Sequence, residues 1–444
     1  MSAGSGRLLR WTDTDREIAR LAVPALGALV AEPLYILADT AVVGHLGTSQ
    51  LGGLALASQA LLSVHALSIF LAYGTTAAVS RLLGADRRGE AAYQAIQSIW
   101  LALGIGIVGG VALWVAADPI LELLGGEGDV LTNARVYLQV SLPGLPAMLI
   151  SLACVGYLRG LQDTVRPLIV AVVTAVGNLV LELVLIYGFD QGIGASALST
   201  VVAQWVGALL YLHWVRQAVE EHDVRLRPDP ATLRRQLVVA GDLFLRTAAL
   251  RASFTVAVAA AARLGDTELA AHEIAFQLWF LVALSLDAVA IAGQAIVGRH
   301  LGAGDIAETR RVANRMVQWG VATGAAACVI LLAARPWLPD IFSGDDAVVS
   351  LAGFLILHLA LLGPVSGVVF TLDGILIGAG DMRFLAIAMT GAAAVFIPAV
   401  LAVPALDWGI GWVWGAIWLL MIARVVPLAL RFRSDVWLRP GATS

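Results

Sequence analysis

Two acidic residues lie in apolar stretches of this chain. Asp39 is in "LYILADTAVVGHLG" (34–47), and Glu182 is in "GNLVLELVL" (177–185), four residues after Asn178. Burying an ionised carboxylate in hydrocarbon costs about 2.5 to 3.5 kcal/mol even on the mildest scale, so such acids usually serve a function. Residues four apart share a helix face, which predicts that Asn178 and Glu182 point to one place. The carboxylate and amide oxygens of these side chains suit a site for a proton or a small cation. The alternative is that both acids have only a structural role and are hydrogen-bonded by nearby hydroxyl groups.

The elements that position these residues follow from composition. The chain has 444 residues, of which 59% are hydrophobic and 14% charged, and its mean hydropathy is +0.85. Soluble domains are less apolar, so an all-α polytopic membrane protein is predicted. Apolar runs of about 20 residues, enough to cross ~30 Å of hydrocarbon, recur along the chain. Twelve are found: 17–43, 51–80, 91–117, 131–157, 165–188, 193–219, 236–262, 269–298, 310–334, 347–377, 384–404 and 408–430.

The basic residues predict the topology. All 28 are arginines. With a cytoplasmic N-terminus, alternate loops hold most of them, with Arg424 near the end of the last span counted in the final cytoplasmic segment, whereas the opposite loops hold only Arg135, Arg263 and Arg335. Arginine-rich loops stay in the cytoplasm, so both termini are expected there, in a multi-pass protein of the inner (plasma) membrane. The arginines are scattered rather than gathered on one module, so a nucleic-acid partner is not expected.

The chain contains an internal repeat. A shift of 218 residues aligns "LGA" at 83–85 with "LGA" at 301–303 and Asp163 with Asp381, and it slips to 217 only where "GIG" recurs late in each half. The shift spans six predicted helices, so the copies have the same orientation and are related by a pseudo-two-fold axis along the membrane normal. The expected domains are an N-lobe (1–219), a cytoplasmic linker (220–235) and a C-lobe (236–444).

The two copies differ where polar residues of the first half meet apolar residues of the second. The aligned pairs are Asp39 with Ala257, Asn178 with Phe396, Glu182 with Val400, and Thr200 with Ile417. A site for H+ or Na+ is therefore predicted in the N-lobe, formed by Asp39, Asn178, Glu182 and Thr200. The functional interpretation is favoured for the two acids, whereas Asn178 and Thr200 fit interhelical hydrogen bonding equally well.

The second half carries ionisable residues of its own within its spans: Arg246, Arg251, Asp287 and Asp373. A structural ion pair between Arg246 and one of the aspartates explains them without ligand contact and is slightly favoured. Drug contacts are expected to be mostly apolar and aromatic with few polar anchors. The weaker candidates for that cavity are Tyr35, Gln59, Gln204 and Gln277.

Five segments resemble one transporter family. They are "DTAVVGHLG" (39–47), "GYLRGLQDTVRPL" (156–168), "LFLRTAAL" (243–250), "LDAVAIAGQAIVG" (286–298) and "LDGILIGAGDMR" (372–383). They are similar to the multidrug and toxic compound extrusion (MATE) family, in particular its branch of DNA-damage-inducible F proteins, over essentially the whole chain. The resemblance implies twelve helices in two lobes and export of amphipathic, often cationic compounds in exchange for protons or sodium ions.

The same resemblance places the family's ion site on the four N-lobe residues named above. Relatives often have aspartate at the position of Glu182, which leaves the coupling ion open. It also implies a bend of the first helix at Pro24, fifteen residues before Asp39, and Pro33 removes a further backbone hydrogen bond from that helix. Neither an enzymatic activity nor a cofactor is implied. The expected partners are small-molecule substrates and the lipid bilayer, and the protein is expected to be a monomer.

Three other functions fit the sequence less well than export. A flippase for lipid-linked precursors would line its cavity with several arginines, and only Arg246 and Arg251 are candidates here. A membrane-embedded enzyme is poorly supported, because "HEIAF" (272–276) lacks the second histidine of a zinc-protease motif. A passive channel gives no reason for carboxylates confined to one lobe.

Overall fold

The computed structural model describes residues 11–189 and 192–442, and helices account for nearly all of them. The helices of the first half are α1 (Asp13–Gly44), α2 (Thr48–Ser68), α3 (Phe70–Gly84), α4 (Arg88–Val115), α5 (Ala117–Leu123), α6 (Gly128–Ser141), α7 (Leu145–Gly160), α8 (Val165–Leu183) and α9 (Ile193–Glu221). Those of the second half are α10 (Pro230–Ala262), α11 (Asp266–Gly302), α12 (Ile306–Ala334), α13 (Asp346–Gly378), α14 (Met382–Ala405) and α15 (Ile410–Arg433). No strand occurs in these ranges.

These helices form twelve spans that are long and apolar enough to cross a membrane, which confirms the predicted fold class. Two spans are composite. Thr48–Gly84 joins α2 and α3, and Gly128–Gly160 joins α6 and α7. The second junction is a 3-10 turn at Leu142–Gly144 that contains Pro143, a residue without an N–H for the helical ladder.

Helix α8 changes its winding next to one of the predicted site residues. It ends at Leu183, directly after Glu182, and the chain continues as a π-helical turn over Val184–Gly188. Such turns are rare and occur frequently at functional sites. The predicted span 165–188 therefore contains both kinds of helix.

The chain packs as two compact units. One, here the N-lobe unit, is Gly27–Phe244; the other, the C-lobe unit, contains the chain up to Leu26 and from Leu245 onward. The division thus falls inside α1, two residues after Pro24. The repeat places its boundary elsewhere, at the linker 220–235, because a repeat follows aligned sequence whereas packing follows side-chain contacts.

The N-terminal part of α1 belongs to the C-lobe unit because its acids pair with that unit's arginines. Asp15 accepts hydrogen bonds from Arg315 Nε at 2.7 Å and from Trp319 Nε1 at 2.7 Å, and Glu17 pairs with Arg299 at 2.8 Å. Between α9 and α10 residues 222–229 lie outside helices, within the predicted linker 220–235, because both helices extend into the polar segment.

Helices α12 and α13 of the C-lobe unit meet along a seam of glycines. A Cβ atom built on Gly324 would lie 2.1 Å from the carbonyl oxygen of Gly363, and one on Gly367 would lie 2.0 Å from that of Gly320. The two backbones approach so closely that no larger residue fits. Small residues serve this purpose in membrane helix pairs generally.

We expect Gly324→Ala to destabilise the protein by about 1 to 3 kcal/mol, the usual range for overpacking. Gly391→Ala is the matched control, because it is also within a helix but a Cβ atom there meets no other atom within 4 Å. Replacing glycine by alanine at an open helical position is neutral or stabilises by about 1 kcal/mol. Thermal unfolding in detergent measures both variants. A Gly324→Ala protein as stable as the Gly391→Ala protein would contradict the close packing.

Candidate functional site

The site is built around Asp39 of α1 and Ser196 of α9, both in the N-lobe unit. Asp39 is 5% exposed and Ser196 is fully buried. Ser196 Oγ donates a hydrogen bond to Asp39 Oδ1 over 2.7 Å. This contact holds the carboxyl group of Asp39 against α9 rather than toward lipid.

Glu182 lies beside this pair, and its side chain is sealed from solvent. It is 0% exposed, and neither carboxyl oxygen accepts a hydrogen bond from any part of the chain that the structure describes. The polar groups that interact with it are the carboxyl of Asp39 and the hydroxyl of Ser196. The two acids of the sequence prediction are therefore neighbours.

Asn178 and Thr200 complete the arrangement through a hydrogen-bond network. Asn178 Nδ2 donates to Ser199 Oγ at 3.3 Å and to Thr200 Oγ1 at 3.2 Å. The hydroxyl of Tyr35 lies 2.8 Å from Thr200 Oγ1, so Tyr35 joins the same network. Asn178 Oδ1 is buried and has no hydrogen-bond partner within 11–189 and 192–442. The structure thus brings all four predicted site residues together.

The balance of donors and acceptors decides what this site can do. Three buried oxygens, two on Glu182 and one on Asn178, are left without donors, and a second carboxyl group lies beside them. Buried polar atoms are normally hydrogen-bonded, and unpaired buried charges are strongly unfavourable. Binding a proton or a small cation supplies the positive charge that these oxygens lack.

The corresponding positions of the C-lobe unit are apolar and buried. Ala257, Phe396 and Val400 are each 0% exposed, and Ile417 is 1% exposed. The second copy fills this place with packed hydrocarbon, which has no affinity for ions. The difference between the two halves of the sequence is therefore a difference between a polar site and an apolar core.

Two cavities of about 270 Å³ each lie next to the site within the N-lobe unit. They share the lining residues Glu32, Tyr35, His65, Met148, Thr200 and Gln204. Asn178 lines the first cavity and Asp39 the second, whereas Glu182 lines neither. Of the weaker candidates, Tyr35 and Gln204 line both cavities, but Gln59 and Gln277 line neither.

Several residues of this region were not predicted as site residues. Ser196 and Ser199 were not predicted, although Ser196 lies one helical turn before Thr200. That spacing places Ser196 and Thr200 on the same helix face and would have indicated Ser196 as a site residue. Glu32 and His65 were also missed: His65 Nδ1 lies 3.0 Å from Glu32 Oε1 on the cavity wall. The spacing of seven residues between Glu32 and Asp39 was the available signal, since it places both on one face of α1.

The ionisable residues of the second half form a separate buried cluster in the C-lobe unit. Asp373 Oδ2 accepts from Arg246 Nη2 at 2.7 Å and from Arg424 Nη2 at 2.6 Å. The ion pair predicted for Arg246 is present. The placement of Arg424 in a cytoplasmic loop was wrong, because it is 4% exposed inside α15. Asp287 interacts electrostatically with Arg424, so the arginine is held by two acids that a loop residue would not meet.

Both prolines predicted to bend the first helix lie within α1, which is helical from Asp13 to Gly44. Pro24 is in the part of α1 that packs with the C-lobe unit, and Pro33 is in the part that belongs to the N-lobe unit. Each lacks the N–H that would bond to the carbonyl one turn earlier. The bend at Pro24 stays a prediction.

Comparison with known proteins covers almost the whole chain. The family model described as MatE matches residues 24–184 and 243–402, two segments whose starts are separated by nearly the 218 residues of the repeat. "Protein DETOXIFICATION 44, chloroplastic" of Arabidopsis thaliana is 31% identical, over 95% of this chain and 83% of that protein. "DNA damage-inducible protein F" of Escherichia coli (strain K12) is 30% identical, over 96% and 93% of the two chains.

Solved structures agree with the fold. The outward-facing conformation of "a multidrug resistance MATE family transporter of the MOP superfamily" superimposes with a TM-score of 0.83 at 22% sequence identity. The match covers 96% of each chain. At this identity the similarity shows the fold alone.

Proposed function

This chain belongs to the MatE family, whose members are efflux transporters and not enzymes. From that premise we propose that it exports amphipathic, often cationic compounds by exchange for protons or sodium ions. The observation that carries the proposal is the group of buried oxygens without donors at Glu182 and Asn178, next to Asp39. Such a group binds positive charge and releases it when the surroundings change.

The exchange follows from electrostatics. On the outer side a proton or sodium ion neutralises the acids, and the cationic compound loses its attraction to the cavity and leaves. On the inner side the ion departs, and the restored negative charge attracts the next compound. One pH unit supplies ~1.4 kcal/mol per proton, and 100 mV of membrane potential ~2.3 kcal/mol per charge moved. These contributions are large enough to drive export against a gradient.

Both ions fit the chemistry of the residues. Two carboxyl groups that lie side by side can share one proton. Sodium is a hard cation, which prefers oxygen ligands such as carboxylates, amide carbonyls and hydroxyls. The side chains of Asp39, Asn178, Glu182 and Thr200 offer all of these.

The proposal includes the location, the topology, the oligomeric state and the partners of the transporter. The arginine bias supports a cytoplasmic location of both termini, and the plasma membrane is the proposed location of the twelve spans. A monomer is proposed because the ion-site residues all come from one unit of one chain. The bilayer and small-molecule compounds are the partners, with no nucleic acid and no cofactor.

The flippase alternative receives no support from the cavities. Among the described residues that line the two cavities there is no arginine or lysine, whereas Glu32 and Asp39 are present. An anionic lipid phosphate would be repelled by such walls, and a cation would be attracted.

Transport by the purified protein tests the proposal. In proteoliposomes loaded with ethidium, a fluorescent cation, we expect uphill movement when a pH gradient or a sodium gradient is imposed, and none without a gradient. Applying the two gradients separately identifies the ion, because only the coupling ion drives accumulation. Equal ethidium movement with and without both gradients would reject exchange.

A further inference from the structure

A second acidic group on the cavity wall is not used by the ion exchange described above. Glu32 lines both cavities and is the only acid among the described residues that line the first. Its side chain is 45% exposed, in contrast to the sealed Glu182. Its carboxylate is therefore open to a molecule that enters either cavity.

Glu32 is separate from the ion site. It precedes Asp39 by seven residues, two turns of α1, which corresponds to a separation of roughly 10 Å along the helix axis. Its partner is His65 of α2, whose Nδ1 donates to Glu32 Oε1 over 3.0 Å. The carboxyl group of Asp39, by contrast, accepts its hydrogen bond from Ser196 of α9.

The surroundings of Glu32 suit the cationic end of an organic molecule. The nearby wall of the first cavity is mainly apolar, with Ala28, Ala31 and Leu152, and it includes the adaptable side chain of Met148. The ring of Tyr35 lines the same space and has a face that attracts cations. Cavities that bind organic compounds combine such apolar walls with a few charged groups that fix orientation.

A cationic ligand can replace His65 as the partner of Glu32. The imidazole of His65 gives the carboxylate one hydrogen bond, and an organic ammonium brings a permanent positive charge. A ligand with such a charge can take the place of the imidazole beside the carboxylate. The pair in the structure is then the resting arrangement of a binding site, with His65 in the place of a cationic group.

We propose that Glu32 is a second anionic subsite, which binds a cationic group of the transported compound and is occupied by His65 in its absence. The inference rests on the proposed function, because it assigns a recognition role to the same cavities. With Asp39 two turns away, the arrangement favours compounds that carry two cationic centres over compounds with one. Glu32 and Asp39 lie on one face of α1, whereas Glu182, the second acid of the ion site, belongs to α8.

Equilibrium binding of two related dyes to the purified protein in detergent, with no ion gradient, tests this subsite. Ethidium carries one cationic centre, and propidium has the same ring system with an additional quaternary ammonium on its side chain. We expect the parent protein to bind propidium more tightly than ethidium. Glu32→Gln should reduce that preference about tenfold, the effect of losing one close charge pair in a partly hydrated site.

Two further variants separate recognition from a structural role. His65→Gln removes the imidazole and leaves the carboxylate free to bind, so we expect the preference for propidium to be kept or increased. If the pair served only to join α1 to α2, both variants would change the two affinities equally and the preference would stay. Glu122→Gln is the matched control, since Glu122 lines neither cavity, and it should leave the preference unchanged.

The results distinguish this subsite from the exchange mechanism. A preference that persists in Glu32→Gln would overturn the subsite even if the parent protein shows gradient-driven efflux. A preference lost in Glu32→Gln but kept in His65→Gln would support the subsite even if no gradient drives efflux.

Discussion

Asp39→Asn should abolish gradient-driven export while leaving a folded protein. The substitution keeps the shape of the side chain and the neighbouring Ser196, but removes one of the two charges that attract the coupling ion. A contact to a charged group is worth about 1.5 to 3 kcal/mol, so we expect accumulation driven by the coupling ion to fall about tenfold or more. The measurement is ethidium movement in proteoliposomes under an imposed gradient.

Glu182→Gln is expected to have a similar effect because the two acids act as one site. Downhill movement of ethidium should continue in both variants, since asparagine and glutamine keep the size of the side chains they replace and so preserve the shape of the cavities. Asp118→Asn is the matched control: Asp118 lies in α5, half exposed and paired with Arg135, and exposed ion pairs contribute little. Wild-type uphill movement in Asp39→Asn would remove that residue from the coupling mechanism.

Asp373→Asn should be among the most destabilising single substitutions in the C-lobe unit. Its carboxylate is shared by Arg246 and Arg424 at 2.7 and 2.6 Å, and all three side chains are largely buried. Removing one partner from a buried ionic cluster typically costs about 3 to 5 kcal/mol, because the remaining charges lose their compensation. Thermal unfolding in detergent and the yield of folded protein both report the loss.

Asp435→Asn is the comparison for this effect. Asp435 also pairs with an arginine, Arg310, but its side chain is 84% exposed. Screening by solvent limits such a pair to about 1 kcal/mol or less. Equal stability of the Asp373→Asn and Asp435→Asn proteins would show that the buried cluster does not stabilise the lobe.

Most of the ion site could be predicted from the sequence. Asn178 and Glu182 were placed on one face because their spacing of four residues is a property of the helix itself. Asp39 and Thr200 were added through the comparison of the two repeats, which showed polar residues against apolar ones. Ser196, which holds Asp39, was missed because a serine in a membrane helix is common and carries no signal until its neighbour is known.

Arg424 shows the opposite error. Its position near the end of the last apolar run was consistent with a cytoplasmic loop, since arginines there obey the topology rule. The structure buries it beside Asp373, a residue 51 positions away in the sequence. The topology rule depends only on the neighbouring sequence, so it does not account for a carboxylate that is distant along the chain.

The sequence by itself determined the membrane class, the twelve spans, the repeat and the asymmetry between the halves, because hydrophobic length and periodicity are local properties of the chain. Only the tertiary structure decided which polar groups meet: the unpartnered oxygens of Glu182, the pairing of Glu32 with His65, and the division of α1 between two packing units. These depend on contacts between helices that are far apart along the chain, where side-chain direction and packing distance, rather than spacing, set the interaction.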